Sequence, residues 1–114
     1  MLKTLNVQTL RERLETERAE LILRIAETET FLRAPIGNNP DPSDLAGQYA
    51  SKERRTALLA QMTQRLEQVD AAIARMDAGT YGICTHCGEP IDPARLKALP
   101  SAAMCLRCQE LSKA

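Results

Sequence analysis

The chain has 114 residues, 44% of them apolar and 26% charged, which is the size and composition of one small folded domain, with or without an appendage. It carries 15 Lys and Arg against 15 Asp and Glu, so its bulk charge provides no attraction to nucleic acid. No apolar run approaches the roughly 20 residues needed to cross a bilayer, and the amino-terminal residues lack the apolar core of a secretory signal. We therefore expect a cytoplasmic protein that binds neither membranes nor a specific DNA sequence.

The first predicted element is a long helix at about residues 7–33. This range contains neither Gly nor Pro and is rich in helix formers. Its core-facing side chains recur at spacings of three, four and seven, so that they share one stripe. The stripe consists of Leu10, Leu14, Leu21, Ile25, Thr28 and Leu32.

A turn is predicted at residues 34–42, which contain three prolines and one glycine. The end of this turn has the features of a helix start. Asp41 is a suitable N-cap, Pro42 suits the first helical position, and Asp44 lies at the third, where a negative charge favours the helix dipole. Taken alone, these residues favour a structural cap over a binding site.

The second predicted helix covers about residues 43–77. Its large apolar residues alternate steps of three and four without a break, which is typical of a coiled-coil seam. We interpret the methionines among them as core residues and not as ligands of a cofactor. The seam consists of Leu59, Met62, Leu66, Val69, Ile73 and Met76.

Two long helices joined by a short Pro-rich turn predict an antiparallel coiled-coil hairpin. Folding the chain about residues 38 and 39 brings the two stripes together, with Leu32 opposite Leu45 and Leu14 opposite Met62. At 1.5 Å per residue, the shared length would be roughly 40 Å.

Four cysteines follow the second helix in two Cys-x-x-Cys pairs. Cys84 and Cys87 are separated by seventeen residues from Cys105 and Cys108, a spacing that matches four-cysteine zinc sites. Four sulfurs close a tetrahedron without an open position, so the predicted zinc is single and structural. Free or redox thiols, or iron in place of zinc, are the less favoured alternatives. His86 is predicted to be an exposed loop residue and not a ligand.

A small core is predicted around this metal. A module of roughly 35 residues buries too little surface to fold alone, so the metal must supply much of its stability. The expected core residues are Tyr81, Ile83, Ile91, Leu96 and Leu99, packed on Met76 and the amino-terminal Leu2 and Leu5.

The predicted fold class is therefore mainly α, a long antiparallel coiled-coil hairpin with a small four-cysteine zinc-finger module at its base. The predicted division places the hairpin at residues 1–78 and the module at residues 79–114.

The stretch GTYGICTHCGEPIDPARLKALPSAAMCLRCQ resembles the zinc-finger signature of the DksA/TraR family. The resemblance extends to the tip of the hairpin, because family members that act on transcription carry the tip motif Asp-x-x-Asp-x-Ala, which here falls on Asp41, Asp44 and Ala46. The zinc signature is highly specific, whereas the tip motif alone is weak. The sequence is shorter than the larger members at both ends and is nearer to the short, TraR-like members.

The resemblance implies a bacterial RNA polymerase regulator without enzymatic activity, expected to be a monomer. In the family, the coiled coil enters the secondary channel of the polymerase, the tip approaches the active site, and initiation at sensitive promoters such as those for ribosomal RNA changes. By carry-over, Asp44 and Ala46 are the main tip contacts, Asp41 supports them, and the four cysteines hold zinc.

One departure from the family concerns the alarmone ppGpp. Counted without gaps from the cysteines, the basic positions by which larger DksA proteins help to hold ppGpp fall on Gln61, Gln68 and Gln109. Neutral amides cannot replace cations against a polyphosphate. We therefore expect a weak response to ppGpp, or none.

Two other functions stay open. The protein could be a zinc-finger adaptor for another protein partner, with the tip aspartates serving only as caps. It could also be a Gre-like transcript-cleavage stimulator, since two carboxylates at the tip can contribute oxygen ligands to a magnesium ion. Because the chain carries no net basic charge, direct DNA binding ranks below both.

Overall fold

The computed structural model describes residues 6–36 and 41–112. Four helices occupy these residues: α1 (Val7–Arg33), α2 (Pro42–Ala78), α3 (Pro93–Ala98) and α4 (Leu106–Ser112). Within the described residues, β structure is limited to an isolated antiparallel bridge between Ile83 and Pro90. The mainly helical fold class is confirmed, whereas the two short helices α3 and α4 were not predicted.

A capping residue marks the start of α1, and a proline follows its end. The side chain of Asn6 accepts a hydrogen bond from the Thr9 backbone N–H at the start of α1. At the other end, Ala34 precedes Pro35, which disfavours further helix. The predicted turn at residues 34–42 includes residues 37–40, which lie outside the described residues. None of the described helices is long and apolar enough to span a membrane.

The chain forms two compact units. The first unit combines Met1–Arg18 with Glu67–Ala114, and the second consists of Ala19–Leu66. The predicted division at residues 78 and 79 stays a prediction.

In the first unit, the beginning of α1 packs antiparallel to the end of α2. Leu10 and Leu14 of α1 and Val69 and Ala72 of α2 are buried. Two ion pairs border this core: the Arg11 Nη1 lies 2.8 Å from the Asp77 Oδ1, and the Arg18 Nε lies 2.6 Å from the Asp70 Oδ1. Both pairs are partly exposed, so each adds little to stability compared with the buried side chains.

In the second unit, the predicted stripe and seam residues Leu21, Thr28 and Met62 are buried. The Thr28 hydroxyl donates a hydrogen bond to the Arg24 carbonyl at 2.8 Å, so the buried polar group is satisfied within its own helix. The Arg55 guanidinium lies over the Phe31 ring, 4.3 Å from the ring centroid. The sequence pattern therefore identified the core faces of both helices.

The predicted pairing register is wrong. Folding about residues 38 and 39 would place Leu32 opposite Leu45, but the structure joins Leu32 to Lys52, seven residues farther along α2. In the first unit, Arg18 pairs with Asp70, whereas the predicted register would place it opposite Leu59.

The length of the connection between the helices explains the shift. The eight residues between Arg33 and Pro42 can span up to about 28 Å, so they do not force the shortest turn. Instead, ten residues of α2 precede Lys52 and lie beyond the level at which α1 ends.

Candidate metal centre and acidic tip

The four cysteines form one cluster in the first unit. One ligand atom from each residue lies within 4.8 Å of all the others, and the Cys87 and Cys105 Sγ atoms are 3.9 Å apart. A zinc ion with four sulfur ligands at about 2.3 Å separates those sulfurs by about 3.8 Å. The cluster therefore fits a tetrahedral zinc ion closed to water.

Backbone groups shape the first Cys-x-x-Cys turn around its sulfur atoms. The Cys87 backbone N–H donates to the Cys84 Sγ at 3.5 Å, and the Gly88 N–H donates to the Cys84 carbonyl at 3.0 Å. Gly88 has φ +77°, a conformation that residues with a Cβ rarely adopt. The turn thus depends on glycine at this position.

The cysteines differ in their electrostatic surroundings. Burial raises the pKa of the Cys84 thiol, but neighbouring backbone N–H groups, that of Cys87 first, outweigh burial and lower the pKa to about 6. Burial and hydrogen bonds with the other cysteines, Cys105 first, raise the pKa of Cys108 to about 12. The thiolate is the form that binds a metal. The surroundings of Cys84 therefore favour the metal-binding form, whereas those of Cys108 disfavour it unless a metal cation is bound.

The loop before the second cysteine pair is held by backbone and arginine contacts. The Thr85 N–H donates to the Ala103 carbonyl at 2.8 Å, and the Arg95 Nε donates to the Met104 carbonyl at 3.1 Å. From α2, the Arg75 guanidinium donates to the Ser101 and Ala102 carbonyls, each at 3.4 Å. These contacts hold the loop before Cys105 in place.

We refer to residues 79–112 as the zinc segment. Its core departs in part from the prediction. Tyr81, Ile91 and Leu96 are buried as expected, and the Tyr81 hydroxyl donates to the Pro100 carbonyl at 2.8 Å. Ile83 and Leu99, also predicted to be core residues, are each 38% exposed. Ile83 forms the isolated bridge with Pro90, and Leu99 is the C-cap residue of α3, so both lie at the edges of regular structure.

Residues from outside the zinc segment complete this core. Leu10 of α1 is buried in the same cluster, with Val7 and Met76 packed against it. Met76 was predicted to pack here, whereas Leu10 was assigned only to the hairpin stripe. The predicted contacts of Leu2 and Leu5 lie outside the described residues. His86 is exposed, as predicted.

The acidic tip residues lie at the start of α2 in the second unit. The Asp41 Oδ1 accepts hydrogen bonds from the Asp44 backbone N–H at 2.9 Å and from the Ser43 hydroxyl at 2.8 Å. These two bonds, in that order, lower the pKa of Asp41 below its usual 3.8. The stabilisation of α2 by the charged Asp41 cap is therefore complete above pH 3.8. It is lost as the pH falls through the lowered pKa of Asp41. Asp44 and Ala46 are exposed.

Comparisons with known proteins agree with this arrangement. The profile of the prokaryotic dksA/traR C4-type zinc finger family matches residues 79–113. An uncharacterized protein of Aquifex aeolicus is 31% identical over 103 residues, which cover 88% of this chain and 71% of that protein. The RNA polymerase-binding transcription factor DksA of Caulobacter vibrioides is 29% identical over 100 residues, 88% of this chain and 70% of that protein.

A solved structure extends the likeness to the fold. The transcription factor DksA2 from Pseudomonas aeruginosa superposes with a TM-score of 0.76 at 27% identity, covering 99% of this chain and 87% of that one.

Long paired helices and a four-cysteine cluster define a helical zinc-finger protein with one structural zinc. The chain belongs to the DksA/TraR family. The relatives with a named function are transcription factors, in agreement with the expectation that the protein is not an enzyme.

Proposed function

We propose that the protein binds bacterial RNA polymerase and regulates transcription initiation. The observation that carries this proposal is the match to the Caulobacter relative, which is named for binding RNA polymerase. A match over 100 residues in a chain of 114 necessarily includes residues 41–46, so it covers the acidic tip as well as most of the zinc segment.

In the proposed mode of action, the helical tip enters the secondary channel of the polymerase and approaches its active site. Asp44 and Ala46 make the main contacts, and Asp41 supports them. Initiation at sensitive promoters, such as those for ribosomal RNA, changes as a result. The four cysteines, as ligands of the structural zinc, stabilise the first unit.

The geometry of the tip supports different roles for its two aspartates. The Asp41 carboxylate is engaged in capping α2 through the Asp44 backbone N–H and the Ser43 hydroxyl. Asp44 takes part in that cap with its backbone, which any residue except proline supplies, and its side chain is exposed. The Asp44 carboxylate is therefore the better candidate for a contact with the polymerase.

Substitution of Asp44 tests the proposal. We expect Asp44→Asn to abolish most of the regulation of a ribosomal RNA promoter in a purified transcription assay, because it removes the charge while keeping the shape and the backbone donor. Zinc content and melting temperature should stay at wild-type values. Glu53→Gln is the matched control, since Glu53 is an exposed carboxylate elsewhere on α2, and it should regulate normally.

The same preparations separate the alternatives. An adaptor whose aspartates serve only as caps predicts full activity for Asp44→Asn, and a pull-down with core RNA polymerase that recovers nothing would also contradict our proposal. A Gre-like factor predicts cleavage of the transcript in stalled elongation complexes, and we expect no stimulation of that reaction.

We further propose that regulation depends weakly on ppGpp or not at all. Gln61 and Gln68 are exposed amides, and Gln109 is a half-buried one. A large enhancement by ppGpp that disappears in Gln61 or Gln68 variants would contradict this part of the proposal.

A further inference from the structure

The end of α1 is held by side chains from α2. A helix end leaves its last carbonyl groups without partners in the helix, and Pro35 supplies no N–H to the end of α1. The Lys52 Nζ donates to the Ala34 carbonyl at 2.7 Å and to the Leu32 carbonyl at 3.3 Å. A cation at this point also interacts favourably with the negative end of the helix dipole.

A second cation of α2 contacts the same turn of α1. Arg55, three residues after Lys52 and therefore on the same face of α2, places its guanidinium 4.3 Å from the centroid of the Phe31 ring. Lys52 and Arg55 thus bind the last turn of α1 through its backbone and through a side chain. We refer to Lys52 and Arg55 as the clasp.

The clasp lies where the paired part of the helices ends. The ten residues of α2 before Lys52 include Asp44 and Ala46, and Lys52 contacts the carbonyls at the very end of α1, which ends at Arg33. Their direction depends on how firmly α2 is attached at the last α1 turn. At 1.5 Å per residue, Asp44 lies about 12 Å along α2 from Lys52, so a small rotation at the clasp displaces it appreciably.

We propose that Lys52, assisted by Arg55, is a positioning residue that directs the acidic tip toward its target. This inference rests on the proposed function, because it assigns Lys52 a role through Asp44 and Ala46. Lys52 itself does not contact the polymerase in this proposal; its bonds go to the carbonyls of α1.

The test compares four variants. Lys52→Met keeps the length of the side chain and removes its charge and donors, Lys52→Arg restores both, and Arg55→Met removes the contact with Phe31. Arg54→Met is the matched control, because Arg54 is an exposed cation beside the clasp on the same helix. Asp44→Asn is measured in parallel.

Two measurements are needed. In the free protein, Lys52→Met should accelerate amide hydrogen exchange at residues 30–33 and at residues 44 and 45 on the order of ten-fold, the effect of losing a charge-assisted hydrogen bond. In transcription, it should lower the maximal regulation at saturating protein, while the half-maximal concentration stays near the wild-type value. Lys52→Arg should restore both measurements, Arg55→Met should show a smaller loss, and Arg54→Met should match the wild type.

The outcomes distinguish the inference from the function on which it rests. Wild-type maximal regulation by Lys52→Met, or faster exchange spread evenly over residues 19–66, overturns the positioning role even if Asp44→Asn is inactive. Full activity of Asp44→Asn overturns the proposed function, and the positioning role with it.

Discussion

Asp41 and Asp44 are three residues apart and share one hydrogen bond, but they contribute different groups to it. Asp41 contributes its carboxylate and Asp44 contributes its backbone N–H. The cap therefore requires only the first carboxylate of the motif. The second carboxylate stays exposed in the first turn of α2.

At the scale of single residues, we predict that Asp41→Ala weakens the start of α2 and that Asp41→Asn does not. Alanine cannot accept the bond from the Asp44 N–H, whereas asparagine is as good an N-cap as aspartate. Hydrogen exchange of the Asp44 amide should become roughly five-fold faster in Asp41→Ala and stay close to wild type in Asp41→Asn. Equal acceleration in both variants would contradict the cap.

At the scale of the helices, buried side chains and exposed ion pairs act on the same pairing with unequal strength. Leu14 is 1% exposed, whereas the side chains of Arg18 and Asp70 are 48% and 47% exposed. A buried leucine loses its contacts and leaves a cavity when truncated, while exposed charges exchange their ion pair for water. The apolar stripe therefore carries the stability, and the ion pairs mark the register.

We predict accordingly that Leu14→Ala destabilises the zinc-loaded protein by about 2–5 kcal/mol. Asp70→Asn should cost less than about 1 kcal/mol, although it breaks the 2.6 Å bond to Arg18. Urea unfolding followed by circular dichroism measures both changes. Similar losses for the two variants would show that the ion pair contributes more than its exposure suggests.

At the scale of the whole molecule, the zinc segment is not separate from the helices that precede it. The first unit draws residues from both ends of the chain, and Leu10 of α1 belongs to the same buried cluster as Cys84 and Cys108. The second unit, Ala19–Leu66, contains none of the cysteines. Loss of zinc should therefore affect the two units differently.

We predict that Cys87→Ala loses the zinc and the amide protection of residues 81–108, while residues 21–62 keep theirs. A structural zinc contributes roughly 10 kcal/mol or more to a segment of this size. Cys87 is the suitable cysteine to change, because it is exposed and its replacement removes no core packing. Metal analysis and hydrogen exchange provide the two measurements.

His86→Ala is the control for that experiment and should retain one zinc per chain, since His86 is exposed and lies outside the cysteine cluster. Loss of zinc from His86→Ala, or full retention of zinc by Cys87→Ala, would contradict the four-cysteine site.

The sequence by itself determined the features that depend on local spacing. An uninterrupted run of helix formers and a three-four periodicity specify a helix and its buried face, so Leu14, Thr28 and Met62 were placed correctly. Two Cys-x-x-Cys pairs specify a four-ligand site, because each tight turn already brings two sulfurs together.

Only the tertiary structure decided what joins distant parts of the chain. The register depends on packing between helices whose connection is long enough to permit several pairings, and this packing placed Lys52, not Leu45, beside Leu32. Tertiary packing also buries Leu10 in the core around the cysteines, and it leaves Ile83 and Leu99 exposed. Periodicity identifies which face of a helix is buried, but which residues cover that face depends on the summed contacts of the folded chain.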